Sequence, residues 1–138
     1  GTYGNLVLIV LLILKISLIA DLLDDPNCFL IIIGSYAISR SSIVLLRKIS
    51  PIIFDESAVI LIGKSSLKQA LIAILLGIVW ILPLSITLAI ILIISMLLIT
   101  LIIRLLANKK IGGKTGDILG VSVQLVEIST LVIICFWV

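Results

Sequence analysis

The stretch that decides the fold is Ala70–Ile103, ALIAILLGIVWILPLSITLAIILIISMLLITLII, which contains no acidic or basic residue. A helix crosses the hydrocarbon core of a membrane with about 20 apolar residues. As one helix this run would be roughly 50 Å long at 1.5 Å per residue, which is too long for one span. Pro83 lies inside the run with Ser85 beside it, and proline breaks or kinks a helix. The run therefore predicts two membrane helices joined by a tight turn at Leu82–Ser85.

The rest of the chain has the same composition. Of its 138 residues 62% are hydrophobic and 12% are charged, and the mean hydropathy is +1.49. A soluble domain is about one quarter charged, so the charges here are too few to cover a polar surface. The apolar runs lack the alternation of a membrane barrel. We expect one all-α domain over residues 1–138, a polytopic transmembrane helical bundle in the lipid bilayer. About five spans are predicted, at 5–20, 28–46, 68–82, 85–105 and 117–138.

Charges between the spans predict the orientation. The first connection contains Asp21, Asp24 and Asp25 and no basic residue. The second and fourth connections carry an excess of lysine and arginine, namely Arg47, Lys48, Lys64, Lys68, Arg104, Lys109, Lys110 and Lys114. Because basic connections stay in the cytoplasm, the amino end and both basic connections are predicted to be cytoplasmic. The acidic turn, the Pro83 turn and the carboxyl end are then outside.

Composition also excludes some functions. The net charge of +3 follows from the topology, and no basic face with interleaved aromatic residues indicates nucleic-acid binding. The chain has no histidine, which excludes histidine-based catalysis and most zinc sites. Cys28 and Cys135 both fall near the outer membrane surface. Two alternatives stay open for them, a disulfide or two small buried apolar side chains.

Ionisable residues inside a span are costly and usually functional. Lys15 and Glu127 each lie about ten residues from the cytoplasmic end of their span, roughly 15 Å deep at 1.5 Å per residue. An unpaired charge at that depth would be much less stable than a pair. The matching depths predict an intramembrane pair between Lys15 and Glu127. The alternative is that Lys15 extends alone toward the membrane surface.

A third intramembrane charge, Arg40, lies in the polar segment Ser39–Ser42. No carboxylate is expected at the same depth on a neighbouring span. A guanidinium facing an inner cavity can hold a phosphate through two parallel hydrogen bonds, so Arg40 is a candidate phosphate ligand. The serines have another explanation, because Ser35 and Ser39 are four residues apart and small residues allow close helix packing.

The fourth connection combines glycines, lysines and an aspartate just before the last span. Its candidate phosphate-binding residues are Lys110, Gly112, Gly113, Lys114, Thr115 and Gly116. Glycines let backbone N–H groups approach a ligand, and the following helix presents its positive end to an anion. Asp117 is a candidate helix cap or Mg²⁺ ligand. The segment is no P-loop, because Asn108 stands where that motif needs a glycine. A flexible basic connector is the alternative, and Gly116 and Gly120 could also serve close helix contact.

Three blocks resemble one known family. Lys110–Gly120 (KIGGKTGDILG), followed by Glu127, resembles the carboxyl-terminal signature of the cobalamin synthases, also called adenosylcobinamide-GDP ribazoletransferases. Gly1–Gly4 with Lys15, and Ser39-Arg40 with Pro51, are similar to two further blocks of that family, in the same order. The resemblance implies a membrane enzyme that joins adenosylcobinamide-GDP to α-ribazole, or to its 5′-phosphate, and releases GMP. It implies Mg²⁺ as cofactor, Asp117 as the catalytic, metal-binding carboxylate, and the cytoplasmic (inner) membrane of a prokaryote as location.

The chain departs from the family in one important respect. Family members are longer and carry an aspartate-rich block before the region that matches Gly1, and Asp117 alone would be a poor Mg²⁺ site. We therefore expect a carboxyl-terminal fragment that is incomplete, and inactive, by itself. Lys114 and Val121 are smaller departures. Two alternatives stay open for partners, a second copy of the chain or a missing amino-terminal segment. A non-catalytic transporter subunit or assembly scaffold is the competing function.

Overall fold

The computed structural model describes residues 2–50, 65–110 and 116–138. The described residues form helices and the turns that join them, with no strand among them. The helices are α1 (Thr2–Leu22), α2 (Cys28–Ile49), α3 (Leu67–Ile81), α4 (Ile86–Lys110) and α5 (Gly116–Trp137). This confirms the predicted all-α fold, which is consistent with a polytopic membrane bundle.

Local signals explain where α3 and α4 begin and end. At the start of α3 the Ser66 side chain accepts a hydrogen bond from the Gln69 backbone N–H, and the Gln69 side chain accepts one from Ser66 N–H. This capping box satisfies two backbone donors that the first helical turn leaves free. The helix ends at Ile81, two residues before Pro83, and α4 begins at Ile86. The predicted division of the long apolar run is therefore confirmed.

The length of α3 departs from the expectation of five full spans. Four helices are long and apolar enough to cross a membrane, namely α1, α2, α4 and α5, whereas α3 has only 15 residues. At 1.5 Å per residue α3 is roughly 22 Å long, shorter than the hydrocarbon core of about 30 Å. The reason is that Pro83 lies closer to the start of the run than to its end, so the part before it is the shorter one. The described residues therefore contain four full-length candidate spans and one short apolar helix.

Helix α2 is the centre of the bundle and contacts α3, α4 and α5. Small residues bring α2 and α3 close together. A Cβ atom added to Gly77 of α3 would lie 3.1 to 3.2 Å from atoms of Ile38, two of which are backbone atoms. A Cβ added to Gly34 of α2 would collide with the Ile81 side chain. Contact at this distance needs glycine at both positions, which is a common way of packing membrane helices.

The two ends of the bundle differ in charge. We call the end where α2 and α4 finish and α3 and α5 begin the basic end, defined by Arg47, Lys48, Arg104 and Lys109. The opposite, acidic end carries the α1–α2 turn with Asp21, Asp24 and Asp25. The outside of the bundle is apolar, and α1 is the most exposed helix, with Leu6–Val10 between 54% and 61% exposed. An apolar outer surface of this extent is suited to lipid.

Candidate functional site

The interior of the bundle contains one ion pair between described residues. The Nζ atom of Lys15 on α1 lies 2.5 Å from Oε1 of Glu127 on α5. The side chain of Glu127 is 2% exposed and that of Lys15 is 15% exposed. The structure therefore brings together the two residues whose matching depths predicted a pair, and the alternative of a lone Lys15 is wrong.

Tyr36 of α2 is a third member of this cluster. The Nζ atom of Lys15 lies 4.6 Å from the centre of the Tyr36 ring, within the distance of a cation–π contact. The cluster therefore joins α1, α2 and α5 at one level of the bundle. Sequence analysis missed Tyr36 because it considered only charged residues. Depth in the bundle could have indicated Tyr36. Lys15 lies about as far from the end of α1 as Tyr36 lies from the start of α2, and these two helix ends are joined by one turn.

The serines of α2 serve helix packing. Ser35, Ser39, Ser41 and Ser42 are buried. The Ser41 hydroxyl donates a 2.7 Å hydrogen bond to the Ala73 carbonyl of α3. The Ser122 hydroxyl of α5 donates to Ser42 Oγ over 3.2 Å. The packing explanation, which was based on Ser35 and Ser39, agrees with the complete burial of these two residues.

Arg40 lies on the opposite side of α2 from this serine face. Arg40 is exposed, whereas the nearby Ser39, Ser41 and Ser42 are buried. The predicted inner cavity around Arg40 is therefore not formed by the described residues, because the helix turns that position away from α3 and α5. The seven-residue spacing places Arg40 on the same face of α2 as Arg47, one or two turns closer to the membrane interior. Its role as a phosphate ligand stays a prediction.

Most of the predicted phosphate-binding segment lies outside the described residues, namely Gly112, Gly113, Lys114 and Thr115. Its flanks are described, because α4 ends at Lys110 and α5 begins at Gly116. The segment therefore joins the two helices at the basic end. Asp117 is exposed in the first turn of α5, where its negative charge favours the positive end of the helix dipole. This position is inside the helix, so Asp117 is not its cap residue.

The proposed close helix contact at Gly120 is wrong. A Cβ atom added to Gly120 would have no heavy atom within 4 Å, and the residue is exposed. Helix α1 approaches α5 at Glu127, whereas residues 5–10 of α1 are all exposed. The space beside Gly120 is therefore open because α1 and α5 are close only toward the acidic end.

Sequence analysis missed a group of polar side chains at the basic end. The atoms Ser50 Oγ, Arg104 Nε and Asn108 Oδ1 are buried and have no hydrogen-bond partner among the described residues. Arg104 and Asn108 are four residues apart on α4 and so share a face of that helix. The same parts of α2 and α4 contribute Leu46 and Ile103 to a small apolar cluster with Leu119 of α5. Sequence analysis used Asn108 only to exclude a P-loop and Arg104 only to predict the orientation. It did not consider that the two residues, four apart, share a face of α4.

The acidic end has a cavity of about 400 Å³ lined by Asp21, Leu22, Asp24, Asp25, Pro26, Cys135 and Val138. Both cysteines are free thiols, so the disulfide alternative is wrong. The Cys135 thiol lies 3.7 Å from the Leu18 carbonyl, as a small side chain at a helix contact.

Metal ligands are few in the described part of the chain. No group of three or more acidic or cysteine side chains there could hold a metal ion. At the basic end Asp117 can supply one carboxylate. Mg²⁺ is commonly bound by one or two carboxylates together with substrate phosphates, so Asp117 can provide one ligand but no complete site.

A helical bundle with an apolar outer surface, an internal ion pair and one basic end defines a multi-pass membrane protein. The comparisons with known proteins then identify the family. The model of the cobalamin-5-phosphate synthase family matches residues 1–135, so the chain belongs to this family. The resemblance carried by Lys110–Gly120 is thereby confirmed.

Two relatives show how much of the family's length is present. The chain is 33% identical over 143 residues to an adenosylcobinamide-GDP ribazoletransferase of Clostridium kluyveri, covering 98% of this chain and 54% of the relative. It is 26% identical over 133 residues to one of Mesorhizobium japonicum, covering 96% of this chain and 51% of the relative. The chain thus spans about half the length of the curated relatives it matches. No solved structure matches it.

Proposed function

We propose that this chain is part of a membrane transferase that joins adenosylcobinamide-GDP to α-ribazole, or to its 5′-phosphate, and releases GMP. The observation that carries the proposal is the family match over residues 1–135, together with relatives that bear this enzyme name. The product is adenosylcobalamin or its phosphate, so the reaction would stand among the last steps of cobalamin biosynthesis.

The proposed reaction is a phosphoryl transfer. A hydroxyl oxygen of α-ribazole attacks the phosphorus bound to cobinamide, the bond between that phosphorus and GMP breaks, and the hydroxyl proton passes to a base. Catalysis of such a transfer consists mainly of positioning and of stabilising the negative charge on the phosphates. The basic end suits this task, because Arg47, Lys48, Arg104 and Lys109 gather there around the two helix ends that flank residues 111–115.

Each candidate site residue has a part in this proposal. The segment Gly112–Gly116, with Lys110, would contact the phosphates through backbone N–H groups and lysine charge. Arg40 would hold a phosphate from the exposed face of α2. Mg²⁺ would neutralise phosphate charge when bound, and Asp117 would supply one of its ligands. We propose the cytoplasmic membrane of a prokaryote as location, with the basic end facing the cytoplasm.

The test is GMP release from adenosylcobinamide-GDP in liposomes that contain α-ribazole and Mg²⁺. Two proteins are compared, this chain alone and this chain fused behind the amino-terminal half of the Clostridium kluyveri relative. We expect release from the fusion and little or none from the chain alone. Asp117→Asn should abolish release from the fusion. Asp24→Asn is the matched control, because it removes an exposed carboxylate at the acidic end, and should leave release unchanged.

Two results would contradict the proposal. One is absence of GMP release from a fusion that is folded by circular dichroism and monodisperse in detergent. The other is equal activity of the Asp117→Asn and Asp24→Asn variants, which would remove Asp117 from the site.

A further inference from the structure

The polar group at the basic end has hydrogen-bonding capacity that the described residues leave unused. Ser50 is only 6% exposed, and its hydroxyl oxygen has no partner in residues 2–50, 65–110 and 116–138. The same holds for Arg104 Nε and for Asn108 Oδ1. A buried polar atom without a partner destabilises the fold, and more so when the group is charged. Three such atoms at one end of a small bundle need an explanation.

The orientation of the chain in the membrane explains why this end is basic, but it does not explain why the Nε atom of Arg104 is buried. Lys48 and Lys109 are exposed, as expected of lysines that keep a connection in the cytoplasm and favour the negative ends of α2 and α4. Arg104 is different because it lies nearly two turns before the end of α4 at Lys110 and its Nε is buried. A residue needed only for orientation would be more stable with its guanidinium in water or among lipid headgroups.

The chemistry of the three side chains is that of an anion site. A guanidinium offers only donors, a serine hydroxyl can donate, and an asparagine amide offers two N–H donors once its oxygen and nitrogen exchange places. The exchange is a simple rotation of the amide, and crystallography itself often cannot distinguish the two forms. The surrounding charge is positive. Asp117 is the acidic residue that the described helices place at this end, against Arg47, Lys48, Lys68, Arg104 and Lys109.

We propose that Arg104, Asn108 and Ser50 form a subsite for the diphosphate of the guanosine nucleotide substrate, on the cytoplasmic side of the bundle. This proposal rests on the proposed function. Arg104 is the principal ligand, because a charged donor makes the strongest hydrogen bonds to phosphate oxygens. Asn108, one turn further along the same face of α4, contacts the same group, and Ser50 approaches it from the end of α2.

The experiment measures pyrophosphate binding by calorimetry to this chain in nanodiscs of phosphatidylcholine. It needs no turnover, so its outcome is independent of the transferase assay. We expect Arg104→Met to weaken binding by about tenfold and Ser50→Ala by about threefold. Lys68→Met is the matched control, because it removes an exposed charge from the start of α3 at the same end of the bundle, and should weaken binding by less than twofold.

Thermal unfolding of the ligand-free variants separates a binding role from a structural one. Removal of the unpartnered buried Ser50 hydroxyl or Arg104 Nε should leave the melting temperature unchanged or raise it, since these atoms make no hydrogen bond among the described residues. A lower melting temperature for both Ser50→Ala and Arg104→Met would show that these groups stabilise the fold, and would overturn the proposal.

Three binding results would also overturn it. One is no pyrophosphate binding by protein shown to be folded. Another is an equal loss on Arg104→Met and Lys68→Met, which would indicate diffuse charge instead of a site. The third is complete competition by phosphatidylglycerol added to the nanodiscs, which would make a lipid headgroup the occupant. If pyrophosphate binds as expected while the fusion releases no GMP, a diphosphate-binding site is present, but its assignment to the nucleotide substrate fails together with the transferase proposal.

Discussion

At the scale of single residues, the clearest feature is the cluster of Lys15, Glu127 and Tyr36. Glu127 is almost completely buried and has Lys15 as its ion-pair partner. Equal depth in two spans was enough to predict this pair, because an isolated charge in the membrane interior is costly. Tyr36 could not be predicted in the same way, because its contact depends on the direction in which α2 faces α1.

The first prediction concerns this pair. Lys15→Met leaves the buried carboxylate of Glu127 without a partner, and we expect a loss of about 3 kcal/mol in the free energy of unfolding. Glu127→Gln should cost less, because Lys15 is more exposed and can reach the membrane surface. The measurement is reversible unfolding in mixed micelles, followed by circular dichroism.

The double variant Lys15→Met/Glu127→Gln distinguishes a pair from two independent residues. Its loss in free energy of unfolding should be smaller than the sum of the two single losses by at least about 1 kcal/mol. The second change removes the charge that the first one left without a partner. Strict additivity of the two single changes would show that the contact contributes nothing to stability.

Arg40 shows what residue chemistry alone could not predict. Its guanidinium was expected in an inner cavity because nearby serines are polar, yet the serines are buried at the α2–α3 and α2–α5 contacts and Arg40 is exposed. In a helix, neighbouring residues point about 100° apart, so a polar segment does not make a polar face. Whether the serine face or the Arg40 face of α2 is buried depends on where the neighbouring helices lie, and the sequence of this segment alone does not show that.

At the scale of helices, α2 and α3 are joined by glycines where side chains would normally stand. Gly77→Ala should destabilise the protein by about 1 to 3 kcal/mol, because the new Cβ would press against backbone atoms of Ile38 that cannot move aside. The free energy of unfolding of the purified variant checks this expectation.

Gly120→Ala is the control for that change, because it is the same substitution at a helix position where the Cβ would meet nothing within 4 Å. Removing the backbone entropy of glycine should stabilise α5 by roughly 0.5 to 1 kcal/mol. If Gly120→Ala were as destabilising as Gly77→Ala, the packing described for α2 and α3 would be wrong.

Helix boundaries were largely predictable and helix lengths relative to the membrane were not. Continuous apolar runs and Pro83 located the helices, since a membrane span is specified by local composition. The predicted segment 68–82 was as short as α3, but it was counted as a membrane span without asking whether it reaches across the bilayer. The buried group of Ser50, Arg104 and Asn108 was also missed, because it depends on the ends of two helices, α2 and α4, lying at the same end of the bundle.

At the scale of the whole molecule, charge asymmetry predicts the orientation. In a background of Cys28→Ser and Cys135→Ser, single cysteines are placed at Asp24 and at Lys109, which are exposed at opposite ends. In intact bacteria a membrane-impermeant maleimide should label Asp24→Cys directly and Lys109→Cys only after permeabilisation. The reverse pattern would place the basic end outside, where a cytoplasmic nucleotide could not reach it.

The family match over residues 1–135 includes the basic end and the KIGGKTGDILG segment, and the proposed phosphoryl transfer would take place at this end of the bundle. The chain spans about half the length of its curated relatives, so the amino-terminal half of such a relative is the natural complement in any assay. GMP release alone would not distinguish transfer to α-ribazole from hydrolysis by water.

The most direct test of the central claim is therefore the mass of the corrinoid product. The fusion with the Clostridium kluyveri half is incubated with adenosylcobinamide-GDP, α-ribazole and Mg²⁺, and the corrinoids are analysed by mass spectrometry. The account predicts a product that contains both the cobinamide phosphate and α-ribazole, formed in equal amount with GMP. Unchanged substrate, or cobinamide phosphate without α-ribazole, would contradict it.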